Sequence, residues 1–113
     1  MTHKQFTING KEFILYCDGW ETSRAWGHKC ELKMNDWHLA TVKIRYYNRT
    51  WESYRFQSVM HKAVEQAIDF ELKMLIRQWK QSTGKRVCSA NQKAELIAGS
   101  DIIQDLRKLY EKI

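Results

Sequence analysis

The sequence predicts an α+β fold: an antiparallel meander sheet of four or five strands, followed by a long amphipathic helix and one or two short C-terminal helices. Three observations carry this reading. Apolar and polar residues alternate through the first half around Asn-Gly and Asn-Asp dipeptides that suit tight turns. From Ser58 the apolar spacing changes to that of a helix. The chain contains no proline, repeat or low-complexity tract that would mark a linker, so residues 1–113 are expected to form one domain.

The stretch "QFTINGKEFILY" gives two strands, Lys4 to Ile8 and Lys11 to Cys17, joined at Asn9-Gly10, where positive φ is easily reached. "DGWETSRAWGH" has glycines, two tryptophans and no period, and reads as a loop whose Trp20 and Trp26 pack back on the core. In "HKCELKM", Cys30, Leu32 and Met34 alternate with Lys29, Glu31 and Lys33, and Asn35-Asp36 then turns the chain. In "WHLATVKIRYY", Ala40, Val42, Ile44 and Tyr46 point inward, while Lys43, Arg45 and Tyr47 face out. The helix runs from Ser58 to about Gln81 on Val59, Met60, Ala63, Val64, Ala67, Ile68, Leu72, Leu75, Ile76 and Trp79, with Phe70 and Met74 widening its stripe so that it packs on the sheet and against the C-terminal segment; Gly84 stops it. Ser89 and Gln92 have capping-box spacing, and Gly99-Ser100-Asp101 breaks and restarts the last helical segment.

Composition narrows the class. A 43% hydrophobic, 28% charged chain can bury a core. No apolar run spans a bilayer and the first residues lack the order of a signal peptide, so a cytoplasmic protein with no membrane association is expected. Cys17, Cys30 and Cys88 are odd in number and unpaired in spacing, which fits reduced, buried thiols. His28, Cys30 and His38 offer no second ligand pair, so neither a metal nor a cofactor is expected. Glu52, Asp69, Glu71, His61 and the pair Cys88-Ser89 find no partners at catalytic spacing, which points away from an enzyme.

The formal charge of +6 is concentrated. Between Lys43 and Lys62 five bases face one acid, Glu52, and between Lys73 and Arg86 five bases face none, so the rest of the chain is net acidic. The first stretch contains "RYYNRTWESYRF", where large rings interleave with arginines. An odd-numbered hairpin loop would put Tyr54 and Phe56 in the core and leave Lys43, Arg45, Tyr47, Trp51 and Arg55 on one open face, with Arg49 at the tip; an even loop would bury Arg55 and expose Phe56. Burial favours the odd register. The resulting platform suits base stacking and phosphate contact, a protein hot spot, or cross-strand pairs that only stabilise the sheet. Lys80, Lys85 and Arg86 complement the helix C-terminus and would extend the basic footprint.

"YYNRTWESYRFQSV", after an alternating strand and before a long helix, resembles small uncharacterised accessory proteins of phages and mobile elements of Gram-positive bacteria, over roughly the first two thirds of the chain. The resemblance implies a stoichiometric inhibitor of a host nuclease-based defence system, of the anti-CRISPR kind, or a nucleic-acid-handling factor. It transfers no functional residue. The basic balance departs from acidic DNA mimics and directs the expectation to an acidic protein surface on a nuclease or ribonucleoprotein effector, a guide RNA, or DNA.

Overall fold

The computed structural model describes residues 2–46, 56–87 and 89–113. Strands β1 (Thr2–Ile8), β2 (Lys11–Glu21), β3 (Trp26–Met34) and β4 (Trp37–Tyr46) form one antiparallel sheet in the order β1-β2-β3-β4, followed by helices α1 (Gln57–Thr83), α2 (Ala90–Ala98) and α3 (Asp101–Lys112). The two tightest turns use the residues that tolerate positive φ: Asn9 (50°) and Gly10 (76°), then Asn35 (46°) and Asp36 (68°).

The expected loop across Asp18–His28 is instead a long hairpin. β2 runs on to Glu21, β3 begins at Trp26, and only Thr22–Ala25 turns. Thr22 N–H donates to the Ala25 carbonyl at 2.7 Å, and the Thr22 hydroxyl oxygen accepts from Ala25 N–H at 3.1 Å. The glycines that argued for a loop are strand residues here. The ring of Trp20 covers the bare backbone of its cross-strand partner Gly27, supplying the packing surface that the glycine lacks.

The inner face of the sheet carries Phe13, Leu15, Cys17, Cys30, Leu32 and Ala40, and the first half of α1 covers it with Val59, Met60, Ala63, Val64 and Ala67, joined by Leu106 and Leu109 of α3. Cys17 and Cys30 are buried free thiols directly opposite each other on β2 and β3. Their mutual hydrogen bond lowers the Cys17 thiol against its own burial, while the same bond and burial push the Cys30 thiol up. At one end of this face Phe56 lies 4.4 Å from His28, whose Nδ1 is 3.3 Å from the Tyr46 hydroxyl; burial raises the Tyr46 pKa.

Gly84 stops α1 in the left-handed conformation (φ 69°), its N–H donating to the Lys80 carbonyl at 2.8 Å. Ser89 and Ser100 cap α2 and α3 by accepting from Gln92 N–H and Ile103 N–H. One expectation for α1 fails. At 27 residues the helix is ~40 Å long, and its buried residues end at Ala67. Phe70 and Met74 do not pack on the sheet but are 57% and 40% exposed.

Candidate binding face

Because side chains alternate along a strand, burying Cys17, Cys30 and Val42 on the inner side sends their neighbours outward. Cross-strand pairing lines these neighbours up in rows: Tyr16, Glu31 and Thr41; Asp18, Lys29 and Lys43; Trp20, Gly27 and Arg45. The helices all pack on the opposite side, through α1 and α3, so this face is uncovered among the described residues. The sequence placed Lys43 and Arg45 here, and both are exposed on it. Tyr47, Arg49, Trp51 and Arg55 lie outside the described residues, as does the hairpin register. Phe56 is half-buried against the core, but it precedes α1 instead of belonging to a strand, so its burial does not bear on the register. Lys80, Lys85 and Arg86 are not brought to this face. They lie in the helical layer, with Lys80 ~20 Å beyond Ala67 along α1.

What the sequence did not single out is the other half of the face. Lys43 Nζ sits 4.2 Å from the centroid of the Trp20 ring, a cation–π contact. Trp20 is thus a packing ring, as expected, with Gly27 beneath it and Lys43 beside it; its indole N–H is buried without a hydrogen-bond partner. Lys29 and Lys43 stand directly opposite each other on neighbouring strands, an arrangement that like charge disfavours. Asp18, on the far side of Lys29, offsets part of it. Lys33 pairs with Glu31 at 3.4 Å and lies 5.8 Å from the Tyr16 ring. Between these groups is a shallow depression of about 300 Å³ lined by Tyr16, Asp18, Lys29, Glu31 and Lys33. The charge on the face is therefore two-signed: Lys29, Lys33, Lys43 and Arg45 on β3 and β4, with Glu31 paired to Lys33 among them, and Glu12 and Asp18 on β2. The alternation of β3 and β4 places Lys29, Glu31, Lys33, Lys43 and Arg45 on one side, but Asp18, Trp20 and Gly27 reach this face only through the extended hairpin.

The possible metal ligands are separated. His28 and Cys30 point inward, whereas His38 is exposed with its Nε2 2.6 Å from the Thr41 hydroxyl; among the described residues no three His, Cys, Asp or Glu side chains could hold an ion. No helix of the described residues is long and apolar enough to cross a membrane. No known protein family, curated protein or solved structure matches the chain significantly.

Proposed function

We propose that the protein is a non-enzymatic binding protein whose uncovered sheet face docks on another protein. In cellular terms this makes it a stoichiometric inhibitor of a nuclease-based host defence effector, the role implied by the resemblance of its "YYNRTWESYRFQSV" stretch. One observation carries the reading: the face bears both signs of charge around Tyr16 and Trp20, with Asp18 and Glu31 set among Lys29, Lys33, Lys43 and Arg45. A protein surface can match such a pattern, whereas a polyanion is repelled by the carboxylates. Affinity purification from a Gram-positive host lysate, with and without nuclease treatment, tests it. A stoichiometric protein should be retained in both samples, and Lys43→Glu with Arg45→Glu should release it without changing the melting temperature. Recovery of no stoichiometric protein, or undiminished recovery with the charge-reversed variant, would overturn the reading.

The second reading, a nucleic-acid-binding module using the same face, is favoured by the juxtaposed Lys29 and Lys43, which a phosphate between them would relieve. It predicts that affinity for an oligonucleotide falls steeply with salt, losing about one unit of log–log slope for each phosphate-contacting base removed. No mobility shift at low salt would exclude it.

A further inference from the structure

Val59, Ala63 and Ala67 turn one side of α1 to the sheet. At 3.6 residues per turn, Phe70 and Met74 fall on that same side, one and two turns further on. α1 leaves the Tyr46 end of β4, where Phe56 meets His28. By Gln66 it has reached Thr41, whose carbonyl accepts from Gln66 Nε2 at 3.3 Å. The helix therefore runs antiparallel to β4. From Gln66 to Met74 it advances ~12 Å, and from Thr41 back to Trp37 the strand covers ~13 Å. β4 thus ends about level with Met74, and Trp37 stands at that end, paired with Met34, which packs toward the helices. Trp37, Phe70 and Met74 are the exposed large hydrophobic residues among those described, at 74%, 57% and 40%, and the antiparallel course of α1 and β4 carries all three toward the same end of the molecule.

We propose that this corner is a second docking surface, separate from the sheet face, and that it takes a protein segment presenting an apolar side chain between carboxylates. Charge selects the occupant. From Lys73 to Arg86 the chain holds five bases and no acid, and among the described residues Lys73, Arg77 and Lys80 enter no ion pair. Asp36, Asp69 and Glu71 lie at the root of the overhang and set the polarity of docking: the segment's carboxylates run along the helix toward Lys80, away from the β3–β4 turn. A second copy of this chain fits poorly. Antiparallel overhangs that keep clear of both sheets set Lys73 of one copy near Lys80 of the other, base against base. A nucleic acid strand could pair with the bases and stack on Trp37 and Phe70, but Met74 offers it no ring, and Asp36, Asp69 and Glu71 at the root of the overhang repel phosphate.

Fluorescence anisotropy with synthetic peptides tests the proposal. The probes are a helical peptide with leucines on one side and glutamates on its flanks, the same peptide with lysines in their place, and a single-stranded oligonucleotide. The glutamate peptide should bind about tenfold or more tighter than the lysine peptide. Trp37→Ala, or Phe70→Ser with Met74→Ser, should remove most of that binding. Lys73→Glu with Arg77→Glu should reverse the preference. Lys43→Glu with Arg45→Glu should leave it unchanged, so that failure here is distinct from failure of the sheet-face reading. Should the Phe70/Met74 variant lower the melting temperature, Trp37→Ala and the Lys73/Arg77 reversal carry the same test. Equal affinity for the two peptides would overturn the proposal. So would an oligonucleotide that displaces the peptide through Phe70 and Met74, or self-association that Phe70→Ser with Met74→Ser abolishes.

Discussion

Gly27 stands where the chain can accept no side chain. A Cβ built there would run into the Ile44 carbonyl oxygen and lie 2.8 Å from the Trp20 ring. Its φ is not in the left-handed region, so the constraint is crowding between β3, β4 and the ring and not backbone freedom. Gly27→Ala should therefore destabilise the protein by about 1–3 kcal/mol, in the manner of an overpacked core site. The informative comparison is the double variant: Trp20→Ala removes one obstacle but leaves the carbonyl, so thermal melts should show no rescue. Full recovery in the double variant would locate the whole constraint in the ring.

At the scale of elements, α1 is one continuous helix that lives in two environments. Its first half is sealed between sheet and α3, where His61 lies 4.3 Å from the Tyr110 ring and Glu65 accepts from the Tyr110 hydroxyl at 3.2 Å. Its second half contributes no fully buried residue. Hydrogen exchange should divide the helix accordingly: amides of Val59 to Ala67 exchange only with global unfolding, and those beyond Met74 through local opening of lower free energy. Val64→Ala should cost about 1–3 kcal/mol through lost burial and a residual cavity. Met74→Ala, at an exposed site, should stay within about 0.5 kcal/mol. Uniform protection along α1 would mean that the overhang is held by more than the described contacts.

Across the whole molecule, the β1–β2 turn is tied to α3 by one buried carboxylate. Asp105, 1% exposed, accepts from Lys11 Nζ and Asn9 Nδ2, both at 2.6 Å, linking positions more than ninety residues apart. Burial pushes this carboxyl up, but the bonds from Lys11 and Asn9 and the nearby Lys108 outweigh it and hold the group below its ordinary value of 3.8. A lowered carboxylate contributes stability that is present above the unfolded value and lost as pH falls through the folded one. Acid titration of stability should thus show a loss beginning near pH 4 that Asp105→Asn lacks. Lys11→Met should cost more than Asp105→Asn, because it leaves a buried charge with only Asn9, whereas freed Lys11, 30% exposed, can reach water. Identical acid profiles for wild type and Asp105→Asn would refute the assignment.

The order of residues alone settles the alternation that sorts Lys43 and Arg45 from Val42 and Ile44, the turns at Asn9-Gly10 and Asn35-Asp36, the helix stop at Gly84, the cap at Ser89 and the helix restart at Gly99-Ser100-Asp101. These are local effects, set by steric permission at one or two residues or by a period along one element. Tertiary structure alone decided that Gly19 and Gly27 sit in strands, since the ring that covers Gly27 comes from the neighbouring strand. It also decided that Asp105 is ionised and buried, since its partners lie at the other end of the chain. The apolar period of α1 continues past Ala67 into Phe70 and Met74 without a break, and only the packing of the layers fixes which of those residues are core and which are surface. A helical period records which side of a helix is apolar; what that side meets depends on the elements packed against it.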